Sequence, residues 1–342
     1  MKGLLSVISE FFLGEKKILT TSINDVFPYF TDIKDFPLNP APKEVIERFN
    51  KEGVLNLKPG VYDFNFKSFC LNAGKYGPYR GSGYLMAPLK GGKSEIIRTI
   101  LKNSVRLADI PQTAVQSLLW AVLANEKYKG FSEDIPVTAD KLLEKKALKL
   151  LGKSFLDKIP EPIRVWLWEQ IQKRLPEEAL SFWEKVNKLK MKIRDARTTY
   201  EELENTAMRF GKPPIPEKML EIKEGTWSQI QKGCFARIFP DGYSKTRMQI
   251  YVPEIGINKK SSGSFDIGIS APTPNIPAGN PIGNNPTGNP SDISDHSNDV
   301  YGGYSGPDIS GGGTTINSGD IGGIPANHNE QLLGFGGLFD NF

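Results

Sequence analysis

Apolar and polar residues alternate through Val61-Tyr62-Asp63-Phe64-Asn65-Phe66-Lys67-Ser68-Phe69, directly after the turn pair Pro59-Gly60. A period of two predicts a half-buried strand. Gly74, Gly77-Pro78 and Gly81-Ser82-Gly83 punctuate the next residues, so Cys70 is expected where this strand meets a glycine-rich turn. The period then lengthens: Ile96, Ile97, Ile100 and Leu101 recur at helical spacing behind Ser94, the expected cap. After Asp109-Ile110-Pro111 a second helix is predicted through Gln116 and Trp120. On it Val115, Leu118, Leu119 and Val122 form the core stripe, with Gln112, Gln116 and Trp120 stacked along its edge.

A long helical tract over 138–210 follows. Leu142, Leu143, Ala147, Leu150 and Leu151 run among Lys141, Lys145, Lys146, Lys149, Lys153 and Lys158, read as a solvated face over an ordinary core. Pro162 and Pro176 are expected to start further helices, and Trp166, Trp168 and Trp183 to supply apolar area. Strand character returns in Cys234–Phe239 and Arg247–Val252, joined through Pro240-Asp241-Gly242-Tyr243 and placed to pair with the first strands. The expected fold class is α+β. It comprises a small antiparallel β sandwich or barrel over 55–258 with a helical subdomain inserted at 138–210.

The flanks differ from this body. Within 1–54, Leu4, Leu5, Ile8, Phe11 and Phe12 predict an amphipathic helix suited to peripheral membrane contact. Lys2 ahead of that stretch has signal-peptide character, but Glu10 interrupts it and Gly14-Glu15-Lys16-Lys17 is no small-residue cleavage site. From 259 to 342 the chain is rich in Gly, Pro and Asn, and is expected to be a disordered acidic tail. Its last residues, Leu332-Leu333-Gly334-Phe335-Gly336-Gly337-Leu338-Phe339-Asp340-Asn341-Phe342, form an apolar patch read as a peptide that docks on a partner.

Charge sharpens this division. All 43 Lys and Arg lie in residues 1–260, whereas Asp266, Asp292, Asp295, Asp299, Asp308, Asp320, Glu330 and Asp340 lie beyond. The overall +4 therefore hides a basic body and an acidic tail. Because the body's lysines are interspersed with acids, no specific nucleic-acid binding is expected.

Histidine chemistry has little to work with, since His296 and His328 both fall in the tail. The two cysteines, Cys70 and Cys234, show no metal-ligand spacing, and neither a metal nor a cofactor is expected. Ala87-Pro88-Leu89-Lys90-Gly91-Gly92-Lys93-Ser94 nearly matches a phosphate-binding loop, but Ala87 replaces its first glycine and Pro88 removes a backbone donor.

Cys70 in Ser68-Phe69-Cys70-Leu71-Asn72 and Gln116 in Val115-Gln116-Ser117-Leu118-Leu119-Trp120 remain as a thiol and a carboxamide in apolar settings, the two halves of an internal thioester. Three readings stand at this point: a thioester, a Cys70–Cys234 disulfide in an oxidising compartment, or two inert core residues. The segment from Phe69-Cys70-Leu71 through Gly83-Tyr84 to Gln116 and Trp120 resembles the thioester domains of bacterial surface adhesins. In these a cysteine after an aromatic or aliphatic residue bonds to a glutamine a few residues before a tryptophan. The separation here is shorter than is usual there, and Val115 stands where threonine is common.

That resemblance implies Cys70 and Gln116 as the reacting pair, supported by Phe69, Gln112 and Trp120. It also implies a secreted or surface-exposed protein that couples covalently to amines on a partner. Such a chain would carry at most a single-turnover acylating group rather than a conventional enzyme site.

Overall fold

The computed structural model describes residues 18–26, 54–107, 109–132, 134–152, 160–173, 177–216, 222–231, 234–252, 314–317 and 321–338. The amphipathic helix expected near the start of the chain and the stretch 259–313 lie outside them. In chain order the strands are β1 (Val54–Leu57), β2 (Gly60–Cys70), β3 (Lys75–Tyr76), β4 (Tyr84–Pro88), β5 (Met208–Arg209), β6 (Ser228–Gln231), β7 (Cys234–Asp241), β8 (Lys245–Val252), β9 (Thr314–Asn317), β10 (Ile321–Pro325) and β11 (Leu333–Leu338). The α-helices are α1 (Ser94–Arg106), α2 (Gln112–Leu123), α3 (Asp134–Leu142), α4 (Lys145–Leu148), α5 (Glu161–Gln172), α6 (Glu177–Arg194) and α7 (Tyr200–Ala207).

The fold is α+β, as expected. Seven strands form one antiparallel sheet in the order β4, β10, β11, β2, β8, β7, β6. The sheet curls into a nearly closed barrel, because the Met86 N–H on one edge strand donates to the buried Ser228 Oγ on the other at 2.9 Å. Residues from both edges share a single core: Tyr84 and Met86 from β4, Ile230 from β6, with Tyr62, Phe64, Phe66, Ile238, Met248, Ile250 and Phe335. A second core lies between the sheet and the helices, built from Phe69, Leu71, Ile97, Ile100, Leu101, Leu118, Trp120 and Leu189 among others. The alternation of β2 supplies both cores.

Strand β2 organises the barrel. It pairs with β8 from Gly60 opposite Val252 to Lys67 opposite Lys245, and on its other side with β11, Leu333 opposite Cys70. The β7–β8 hairpin turns through Gly242 at φ +66°, a left-handed conformation that glycine adopts without steric cost.

The chain's last part departs from the expected disordered tail. Strands β10 and β11 sit inside the sheet between β4 and β2, and Leu332, Leu333 and Phe335, expected on a free docking arm, are buried. Their glycines permit close approach rather than flexibility. A Cβ on Gly334 would stand 2.8 Å from Leu101 Cδ1 and 2.9 Å from Leu71 Cδ1; one on Gly336 would stand 2.8 Å from the Phe69 ring.

Three local expectations are also corrected. Ser94 lies inside α1 and donates its hydroxyl to Gly91 O, while Lys93 occupies the cap position. Trp120 is fully buried instead of lying at a helix edge, because α2 is enclosed from Val115 to Leu123. Trp166, expected to add buried area, is half-exposed beside Ile163 and Val165.

Gly83, immediately before β4, yields a direct test. A Cβ there would overlap the backbone carbonyl of Ile222, which cannot rotate away as a side chain can. Gly83→Ala is expected to destabilise the protein by about 1–3 kcal/mol, read as a lowered urea midpoint with an unchanged slope.

Candidate functional site

The site follows from how β2 ends. Beyond Lys67, β2 has run past its pairing with β8, so the outward backbone groups of Ser68 and Cys70 need other partners. Ser68 N–H donates to Ser244 O in the turn before β8 at 3.0 Å. Helix α2 supplies the rest. Gln112 Nε2 donates to Ser68 O at 3.0 Å and to Ser244 O at 2.6 Å. Gln116 accepts from Cys70 N–H through Oε1 at 2.8 Å and donates from Nε2 to Cys70 O at 3.1 Å.

The match is geometric. Four helical residues rise about 6 Å and two strand residues advance about 6.6 Å, so glutamines at i and i+4 meet strand positions at j and j+2. The Gln116 carboxamide thus takes the place of the missing strand. It is held on Cys70 by two hydrogen bonds in a setting where both residues are almost fully buried.

The thiol has its own surroundings. Cys70 Sγ lies 3.3 Å from Met208 Sδ, at the start of β5. Burial, and secondly the nearby Glu204 charge, push the Cys70 thiol well above its ordinary range, so it is a neutral thiol at physiological pH. Cys234 lies in the barrel core, and the two cysteines are not bridged, which removes the disulfide reading from this structure.

Trp120 closes the helix side. Its ring is stacked on Tyr200 at 5.5 Å between centroids, and among the described residues its buried Nε1 has no hydrogen-bond partner. The Tyr200 and Tyr243 hydroxyls are 2.7 Å apart, and Tyr243 OH donates to Glu204. Burial pushes the Tyr200 hydroxyl up to about 12; burial and the bond to Glu204 raise that of Tyr243.

On the opposite side Tyr84 OH donates to Gln331 O at 3.2 Å, and Ser82 Oγ donates to Glu330 Oε1 at 2.5 Å. Burial raises Glu330 above the usual carboxylate range in spite of the Ser82 donor.

Of the residues expected from sequence, Cys70, Gln116 and Gln112 meet along one strand edge, and Trp120 stands one turn beyond Gln116. Phe69 points to the other side of β2 and packs at Gly336 of β11. Met208, Tyr200, Glu204 and Tyr243 were not anticipated. Met208 ends α7 in an extended conformation with its N–H bonded to Glu204 O, which holds the two together, but nothing local ties them to Cys70.

The near phosphate loop is occupied by the chain itself. Lys93 N–H donates to Ile18 O at 3.0 Å, Thr20 N–H donates to Lys90 O at 2.8 Å, and Lys93 Nζ donates to Leu150 O at 2.9 Å.

Among the described residues no group of three or more His, Cys, Asp or Glu side chains is placed to hold a metal ion, and no helix is long and apolar enough to cross a membrane. Comparison with protein-family models, with curated proteins and with solved structures finds no match to this chain.

Proposed function

We propose that Cys70 and Gln116 close an internal thioester, and that the protein is a surface-exposed or secreted binding protein that couples through it to amines on a partner. One observation carries this reading. The N–H of the thiol-bearing residue donates to the carbonyl oxygen of the Gln116 carboxamide at 2.8 Å. A donor at that position stabilises the oxygen as negative charge develops on it during attack at the carboxamide carbon.

The step balances without a co-reactant. Cys70 Sγ bonds to Gln116 Cδ, the Cδ–Nε2 bond breaks, and the thiol proton leaves with Nε2 as ammonia. Because the thiol is neutral, the rate must come from enforced proximity rather than from a preformed thiolate. The buried Trp120 and the enclosed helix α2 shield the product bond from water.

The same two hydrogen bonds favour a second reading, in which Gln116 only satisfies the Cys70 backbone in a structural or secretion-associated protein.

Intact mass separates the two. The full chain is expected to be lighter than its sequence by the mass of one ammonia, about 17 Da, and Cys70→Ala or Gln116→Ala to carry no such deficit. A wild-type protein of full mass whose Cys70 is alkylated after unfolding overturns the thioester.

A further inference from the structure

Glu204, Tyr243 and Tyr200 form a hydrogen-bonded chain on the solvent side of the pair. Tyr243 OH donates to Glu204, so the Tyr200 hydroxyl, 2.7 Å from that of Tyr243, donates to Tyr243. All three residues are half-buried, whereas Cys70, Gln116 and Trp120 behind them are buried. Tyr200, stacked on Trp120, is therefore the layer between the core of the site and water.

Glu204 lies one helical turn before Met208, whose sulfur touches the Cys70 sulfur. Its charge is felt at that thiol. Among the described residues Glu204 has no ion-pair partner. A carboxylate without a counter-cation beside a thiol opposes the thiolate and attracts a cation.

We propose that Glu204, oriented by Tyr243 and Tyr200, is the receiving site for the ammonium group of the incoming primary amine, a lysine side chain on a partner being the chemical class it fits. This rests on the thioester reading and adds to it the side from which the nucleophile arrives.

A protonated amine has no lone pair, so it must lose a proton before attack, and Glu204, on the solvent side of the pair, is the acceptor. Nitrogen then bonds to Gln116 Cδ and the Cδ–Sγ bond breaks. Of the three ammonium protons, one stays on the new amide, one ends on Cys70 Sγ, and one passes through Glu204 to water. Tyr200 and Tyr243 act as positioning residues, because they fix the carboxylate without touching the reacting carbon.

The test uses the full chain and two small nucleophiles, cadaverine, which is cationic, and hydroxylamine, which is uncharged at neutral pH. Glu204→Gln keeps a group that accepts from Tyr243 but has no charge. The variant is expected to retain the mass deficit, to lose at least about tenfold in its rate with cadaverine, and to react with hydroxylamine as the wild type does. An unchanged cadaverine rate, or an equal loss with both reagents, overturns the assignment of Glu204 while leaving the thioester standing.

A second measurement needs no substitution. The wild type is expected to react at least about tenfold faster with cadaverine than with β-alanine, whose carboxylate Glu204 repels, and equal rates would overturn the proposal. A wild-type chain without the mass deficit overturns the thioester itself, and the amine site with it.

Discussion

A chain ended after residue 310 is expected to lose the whole fold, and not merely a tail. Strands β10 and β11 lie between β4 and β2, with β10 paired to five residues of β4 from Ile321 opposite Pro88 to Pro325 opposite Tyr84. Without them β4 is held to the sheet chiefly by the Met86 to Ser228 bond, and the ladder groups of β2 from Phe66 to Cys70 lose their partner strand. The truncation also removes the buried side chains of Ile324, Leu332, Leu333 and Phe335. At about 1.5–3 kcal/mol for each such side chain, the apolar loss alone approaches the 5–15 kcal/mol that holds a typical domain together. The truncated protein should show no cooperative urea transition and should bind a hydrophobic dye at low denaturant. A sharp transition within about 2 kcal/mol of wild type would show that β10 and β11 are accessories.

The same segment shows where sequence reasoning is blind. Strand β2, the β7–β8 hairpin and helices α1 and α2 are legible because each carries its period within a dozen residues, and period depends only on which face is buried. Strands β10 and β11 have no such signal. Ile321-Gly322-Gly323-Ile324-Pro325 and Leu333-Gly334-Phe335-Gly336-Gly337-Leu338 are composed like a linker, and their glycines are explained only by Leu89, Leu101, Leu71 and Phe69 pressing against them from distant parts of the chain. The site divides in the same way. Cys70 at a strand end and Gln112 with Gln116 on one helix stripe could be read locally, and their meeting follows from the matched helical and strand advance. Glu204 and Tyr243 reach the site only because α7 and the β7–β8 turn are brought beside α2, a tertiary arrangement that no local pattern encodes. Trp120 has the spacing of a helix edge, yet it is buried because α2 is enclosed by α1, α3, α6, α7 and the sheet together.

Unfolding free energies of Cys70→Ala, Gln116→Ala and the double variant are expected to reveal the covalent bond independently of mass. If the pair is joined, the link closes a loop between positions 46 apart and restricts the unfolded chain by about 4 kcal/mol in the chain-entropy treatment of cross-links. Either single substitution then loses that contribution. Cys70→Ala costs little more, about 1 kcal/mol for the deleted sulfur, because the Gln116 amide still satisfies the backbone at position 70. Gln116→Ala costs more, since it also strands the buried Cys70 N–H, at about 1–3 kcal/mol, whereas the Cys70 carbonyl has already lost its Nε2 donor with the departing ammonia. The cross-link can be lost only once, so the double variant should fall short of the summed single losses by about 4 kcal/mol. Two inert core residues give a different pattern: Cys70→Ala costs about 1 kcal/mol, Gln116→Ala retains its full penalty, and the coupling is small. The size of the Cys70→Ala loss is the sharper readout, because removing one buried sulfur from an intact hydrogen-bonded strand end has no other route to a loss of about 5 kcal/mol.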